Sequence, residues 1–292
     1  MKRISCLLIV LTLVLSALSL VSCSNQGKPG DVTYTDTVIS KEQTTYGALA
    51  IVNDTHEYAF PAEAANALKN IGEYRNAHVQ EGQTFPYKIS TTSLLIHEAA
   101  LSDLHTWLSD MHKATQNGDV IITSAYRTAQ EQESFLTPVG KSNHHTGYGV
   151  TFKIYANQVT SSLSSDAACY TWMTENAYKY GFVQRYPEGK ESTTGMSDYT
   201  EHFHYVGYGP AAYMKQNNLC LEEFVATIKG YTQSNPLTVT DANGQGWLIY
   251  HAACPGEAAT IQLPTNFNYT VSGDNEGGVI VCVSLTKTTD NP

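Results

Sequence analysis

Residues 142–151 read Ser-Asn-His-His-Thr-Gly-Tyr-Gly-Val-Thr, a run of histidines, hydroxyl residues and glycines. Residues 124–127, Ser-Ala-Tyr-Arg, form a second cluster of this kind. A third contains Tyr-Gly-Phe-Val-Gln-Arg-Tyr-Pro at 180–187 and His-Phe-His-Tyr-Val-Gly at 202–207. These clusters gather His, Arg, Ser and Gly where turns are expected, and loops placed on a rigid scaffold often carry function. They are therefore the candidate sites of chemistry.

The surrounding pattern indicates a domain of mixed helices and strands. Apolar residues at helical spacing predict an amphipathic helix over about 92–114. Turn residues and short apolar runs predict further helices over 127–135, 167–180, 211–217 and 221–230, and strands over 47–52, 120–122 and 202–206. Ser234-Asn235-Pro236 indicates a hinge, and short alternating strands predict a small all-β module over 236–287. The larger domain is therefore predicted to be α+β.

The amino terminus has the pattern of an export signal. Lys2 and Arg3 precede an uncharged apolar run over 4–21, as in a signal peptide. Leu-Val-Ser-Cys at 20–23 resembles the lipobox of bacterial lipoproteins, which implies removal of residues 1–22 and acylation of Cys23. An uncleaved membrane anchor is the alternative, because about 18 apolar residues approach spanning length. The rest of the chain is extracytoplasmic in both cases, with residues 23–45 as a lipid-anchored tether.

Charge and cysteine content limit the classes of function. The full chain has 17 basic and 27 acidic residues, a net charge of −10, and loss of Lys2 and Arg3 makes it −12. This acidity disfavours nucleic-acid binding and is typical of a soluble surface. Four cysteines remain after the lipobox, and they permit either two disulfides or four free buried thiols. They are Cys169, Cys220, Cys254 and Cys282, and none has metal-site spacing.

The three clusters resemble motifs of the VanY-type D-alanyl-D-alanine carboxypeptidases, zinc peptidases of the bacterial cell wall. In that family they read Ser-x-Tyr-Arg; Ser-x-His-x-x-Gly-x-Ala-x-Asp; and Tyr-Gly-Phe-x-x-Arg-Tyr-Pro-x-Gly-Lys, followed by Glu-x-x-His. The likeness spans about 46–215. It implies a LAS-type zinc peptidase-like domain over 46–232, with helices around a small antiparallel sheet and a D-Ala-ended peptidoglycan stem peptide as ligand.

The resemblance assigns roles to individual positions. His144 and His202 match two zinc ligands, and three protein ligands in such sites leave zinc an open position for water. Arg127 matches the arginine that binds the substrate's terminal carboxylate through two hydrogen bonds. Ser142 and Tyr126 match motif positions beside the substrate. A buried salt bridge is the alternative role for Arg127.

Two positions depart from the family pattern. The zinc aspartate is replaced by Thr151, and the general-base glutamate by Tyr199. A hydroxyl is a poor zinc ligand, and a phenol ordinarily loses its proton only near pH ~10, far from the range suited to general-base catalysis. The substitutions predict a retained scaffold with weakened or lost hydrolysis. His204 is a possible substitute ligand, because residues i and i+2 of a strand share a face.

Three functions remain open from the sequence. The first is recognition of peptidoglycan stem peptides with weakened or lost hydrolysis. The second is an active zinc D,D-carboxypeptidase with His144, His202 and His204 as ligands. The third is an interaction lipoprotein with a closed cleft.

Overall fold

A computed structural model describes residues 26–164, 167–197 and 199–287. The predicted signal peptide over 1–22 and the lipidation site Cys23 lie outside these residues. Within the part described, no helix combines the length and the apolar character needed to cross a membrane.

Helices and strands are mixed as far as residue 228, and only strands follow up to residue 287. The helices are α1 (Ile71–Ala77), α2 (Glu98–Thr115), α3 (Ala129–Gln132), α4 (Ala168–Asn176), α5 (Glu191–Thr194), α6 (Tyr208–Asn217) and α7 (Leu221–Ile228). The strands are β1 (Tyr34–Ser40), β2 (Leu68–Asn70), β3 (Lys88–Ile89), β4 (Leu95–His97), β5 (Val120–Ser124), β6 (Gly149–Ala156), β7 (Val159–Ser162), β8 (Phe182–Gln184), β9 (His202–Tyr205), β10 (Leu237–Thr240), β11 (Gly246–Ala253), β12 (Ala258–Pro264), β13 (Phe267–Gly273) and β14 (Gly278–Lys287).

A central sheet with strand order β3-β5-β6-β9-β8 carries the site, and β7 pairs with β6 beside this path. Its pairs are antiparallel except β3 with β5. Helix α2 packs its apolar face on the sheet, where Trp107 stacks on Phe182 with ring centroids 5.0 Å apart. The predicted α+β class is confirmed.

Several predicted boundaries shift in the structure. Helix α2 begins at Glu98 instead of residue 92, because the preceding residues form β4, which pairs with β2. The helix predicted over 127–135 is only α3. The helix predicted over 167–180 ends as α4 and continues as a 3₁₀ turn to Tyr180. Gly181 then stops it with a φ of 78°.

The strand predicted over 47–52 is wrong. These residues are mostly buried but irregular, because their backbone groups bond to distant loops and side chains and not to a neighbouring strand. Leu49 N donates to Ser272 Oγ (2.8 Å) and Ile51 N to the Asp274 carbonyl (3.1 Å). The segment therefore joins the larger domain to the β region.

The β region packs against helices of the larger domain. Its main sheet has the order β10-β11-β14-β13, and β12 pairs with β1 from the other end of the chain. Strand β1 falls within the expected tether over 23–45, and its β-branched residues suit a strand. Helices α6 and α7 share one core with β10 and β11 across the predicted hinge. All four cysteines expected in the mature protein are free and buried.

Candidate functional site

The site forms where two strands of the central sheet meet the turn before β6. Antiparallel pairing places Thr151 of β6 opposite His202 of β9. The 3₁₀ turn over Asn143–Thr146 presents His144 to the same point and ends at Gly147, whose φ is 78°. A Cβ on Gly149 would lie 2.6 Å from Asn143 Oδ1, so a larger residue there would displace the Asn143 amide. The glycines of the motif thus let turn and strand approach closely.

Thr151 is the centre of a buried hydrogen-bond network. Its Oγ1 lies 3.1 Å from His144 Nε2 and 2.9 Å from His202 Nδ1. The Tyr199 hydroxyl lies 3.2 Å from the same oxygen, and its ring stacks on His202 at 5.2 Å. The two positions that depart from the family motif therefore touch each other and the two predicted ligands. The Thr151 hydroxyl occupies the point on which both imidazoles converge.

His204 is held by other partners. It shares a face of β9 with His202, as the strand period predicts, but both rings contact the amide of Asn143. Asn143 Oδ1 lies 2.8 Å from His202 Nε2 and 3.0 Å from His204 Nδ1. His204 Nε2 donates to the Ala48 carbonyl at 2.8 Å. Both ring nitrogens of His204 are thus engaged away from His144.

These residues do not fit a catalytic zinc site. Catalytic zinc is ordinarily held by three His, Cys, Asp or Glu side chains. Over residues 26–164, 167–197 and 199–287, no three such side chains form a group able to hold a metal ion. Two imidazoles, a hydroxyl and a phenol are a poor donor set for that ion. The expected set of His144, His202 and His204 is not brought together.

Burial keeps the three histidines neutral. Desolvation lowers the pKa of His144 and of His202 well below the ordinary value, and the nearby His144 lowers that of His202 further. Burial likewise lowers the pKa of His204, to about 3. At neutral pH each ring is therefore uncharged, with one nitrogen able to donate a hydrogen bond and the other able to accept one.

A cleft of about 290 Å³ opens beside the network. Arg127 reaches it, with its Nε donating to Ser124 Oγ (2.9 Å), its Nη1 to Gln132 Oε1 (3.1 Å), and its guanidinium 3.6 Å from the Phe135 ring centroid. In the part of the chain that the structure describes, Arg127 makes no ion pair. The alternative role of Arg127 as a salt-bridge partner is therefore not seen among these residues.

The remaining predicted residues divide between the cleft and its surroundings. Ser142 is buried and lines the cleft. Tyr126 lies outside the lining and binds the Leu95 carbonyl through its backbone N–H at 2.9 Å. Sequence reasoning missed Lys141 and Tyr186 as lining residues, although both lie in the quoted clusters or directly beside them. Their motif positions are the signal that would have found them.

A buried ion pair lies next to a residue of the cleft wall. Arg185, from the third cluster, is fully buried and binds Glu222 of α7 through two hydrogen bonds of 2.9 and 2.6 Å. Its guanidinium also lies 4.9 Å from the ring centroid of Tyr186, which lines the cleft. This arginine is therefore part of the scaffold that positions the cleft wall.

Comparison with known proteins extends the motif resemblance. Residues 133–208 match the VanY family model, described as D-alanyl-D-alanine carboxypeptidase. A D-alanyl-D-alanine carboxypeptidase of Enterococcus faecium is 36% identical over 173 residues, which cover 56% of this chain and 53% of that protein. One from Enterococcus faecalis is 37% identical over 107 residues, 37% of this chain and 38% of that protein. The chain thus spans about half, or less, of the length of these relatives.

The fold is also similar to a solved structure. The vancomycin resistance D,D-dipeptidase VanXYg, crystallised with a D-Ala-D-Ala phosphinate analog, superposes with a TM-score of 0.70. The alignment covers 86% of this chain and 99% of that chain at 22% identity, a likeness that concerns the fold alone. With the family model and the curated relatives, the resemblance drawn from the motifs is confirmed. Residues 133–208 are thus similar to the VanY-type family, both in their motifs and by the family model.

Proposed function

We propose that the cleft recognises a peptide ending in a free carboxylate, of the D-Ala-ended stem-peptide kind, and that hydrolysis is weakened or lost. The observation that carries this proposal is the contrast between Arg127 and Thr151. Arg127 is fixed at the cleft by neutral partners, whereas Thr151 closes the point on which the two histidines converge. The cleft thus retains an arginine that can bind a carboxylate, whereas a carboxylate ligand for zinc is replaced by a hydroxyl.

Arg127 is suited to a carboxylate ligand. A guanidinium presents five N–H donors in a planar fork that matches carboxylate geometry. Ser124 and Gln132 accept hydrogen bonds from Nε and Nη1, and no residue that the structure describes accepts one from Nη2, which is therefore available to a ligand. Burial lowers the pKa of this guanidinium while the nearby Tyr199 raises it, and an arginine stays charged at neutral pH in any case. Half-burial strengthens its attraction for an anion.

The alternatives have less support. An active site with three histidine ligands needs His204 near His144, but His204 binds the Ala48 carbonyl and contacts Asn143. A closed cleft is not favoured, because about 290 Å³ remains open beside Arg127. The named activity of the Enterococcus relatives, D-alanyl-D-alanine carboxypeptidase, is what suggests the stem peptide as the ligand here.

Calorimetry with a pentapeptide ending in D-Ala-D-Ala tests this proposal. We expect binding without measurable D-Ala release, and Arg127→Ala should weaken binding about ten- to a hundredfold, because a charge-assisted hydrogen bond contributes roughly 1.5–3 kcal/mol. Lys215→Ala, an exposed cation outside the cleft, is the matched control. Absence of heat with wild-type protein, or D-Ala release at an enzyme's ordinary rate, would overturn the proposal.

The same proposal places the protein outside the cytoplasm, anchored by lipid on Cys23. Its support is the charged start, the apolar run and the Leu-Val-Ser-Cys stretch at 20–23. Mass spectrometry of protein extracted from membranes should find a diacylglyceryl group on Cys23 as the first residue. Cys23→Ala should move the protein out of the membrane fraction or leave its signal uncleaved. An unmodified residue 23 in the wild type would contradict the lipid anchor.

A further inference from the structure

We infer that the cleft holds a second anion-binding point at Lys141, so that its ligand carries another carboxylate upstream of the terminal one. This inference rests on the proposed function and specifies the class of peptide. Lys141 precedes Ser142 in the chain and lines the same cleft as Arg127.

Lys141 differs from most lysines of this acidic chain in its partners. Eight of the described basic side chains, all lysines but Arg185, form ion pairs with Asp or Glu. The Lys141 Nζ instead donates to the backbone carbonyl of Asp54 at 2.8 Å. An ammonium has three donors, so two remain for a ligand. The cleft therefore presents two cations held by neutral oxygens in a protein with a net charge of −10.

The position of Lys141 is fixed by its backbone. Its N–H donates to the Pro138 carbonyl at 3.1 Å, and the preceding Gly140 N donates to His145 Nε2 at 3.2 Å. His145 in turn contacts the Arg127 carbonyl through Nδ1 at 2.8 Å. One histidine thus links the backbone beside Lys141 to that of Arg127. Two positive charges that line one cleft attract an anion more strongly than either alone.

The shape of the cleft narrows the ligand class further. Phe135 and Leu136 form its exposed apolar lip, with Leu136 fully exposed. The peptide stretch between the two carboxylates would contact this lip. An extended peptide spans about 3.3–3.6 Å per residue, so carboxylates three residues apart are separated by roughly 10 Å. The ligand class is therefore a short peptide with a terminal carboxylate and an acidic group about three residues upstream.

A pair of matched peptides tests this inference. The probes are L-Ala-γ-D-Glu-L-Lys-D-Ala-D-Ala and the same peptide with the glutamate α-carboxylate converted to an amide. Wild-type protein should bind the acid form about fivefold more tightly, as expected for an ion pair worth about 1 kcal/mol. Lys141→Gln should bind both forms equally, at the affinity of wild type for the amide. Lys141→Arg should restore the preference, and Lys215→Gln should leave it unchanged.

The outcomes separate this inference from the proposed function. Equal affinity of wild type for both peptides, with binding still dependent on Arg127, would overturn the second subsite alone. Failure of both peptides to bind would overturn the proposed function. A preference that persists in Lys141→Gln would assign the second carboxylate to another residue and also overturn the inference. Thermal melting of each variant checks that folding is intact.

Discussion

Replacing Arg185 by leucine is expected to lower the free energy of unfolding by about 3–5 kcal/mol. The Glu222 side chain is only 11% exposed. The substitution therefore leaves a largely buried carboxylate without the arginine that binds it through two hydrogen bonds. Urea denaturation followed by circular dichroism measures the change. Because Arg185 also packs on Tyr186, the variant should lose peptide binding together with stability.

The matched control is the double variant Arg185→Leu with Glu222→Leu. Removing both charges leaves no uncompensated ion, so most of the lost stability should return. A double variant as unstable as Arg185→Leu would mean that packing around the leucine, and not the unpaired charge, causes the effect. If Arg185→Leu lowers the free energy of unfolding by less than about 1 kcal/mol, instead of about 3–5 kcal/mol, the ion pair contributes little to stability and the prediction fails.

Restoring Thr151→Asp together with Tyr199→Glu is expected to create zinc binding and D-Ala release. The Thr151 side chain already faces both His144 and His202, so a carboxylate there adds a third ligand at the same point. Tyr199 contacts Thr151, so a glutamate there places a base beside it. The measurements are elemental analysis of protein purified without chelators and release of D-Ala from a pentapeptide.

We expect about one zinc per chain and a rate at least about 10²-fold above wild type, since general-base catalysis contributes roughly 10²–10⁴. The single variants separate the two roles, because Thr151→Asp should gain metal without full activity and Tyr199→Glu neither. Adding His144→Ala to the double variant should abolish both gains. Stoichiometric zinc and full turnover in the unsubstituted protein would contradict the proposed loss of hydrolysis.

The motifs predicted the scaffold well because they encode backbone geometry. Gly147 and Gly149 allow the turn and strand to approach, and the strand period placed His202 and His204 on one face. The partners of His204 were not predictable, because one is the Ala48 carbonyl, 156 residues away in sequence. Long-range backbone contacts of this kind leave no local pattern. The alternative ligand set of three histidines requires a His204 that is free of this contact.

The errors outside the site have a similar cause. The apolar run over 47–52 has strand composition, but its hydrogen bonds go to Ser272 and Asp274, so no ladder forms. The polar residues that precede β1 favour a tether, although its partner β12 lies more than 200 residues later in the chain. Pairing between the two ends of a chain is a tertiary effect that overrides local composition.

The irregular segment over 47–52 determines how this protein can be divided. It places the Ala48 carbonyl on His204 on one side and bonds to Ser272 and Asp274 on the other. A fragment trimmed to residues 53–232 would lose that carbonyl. It would also expose to solvent the apolar residues of α6 and α7 that pack against the β region. Residues 47–52 and the β region therefore stabilise the site domain together, and a shorter fragment would have to contain both of them.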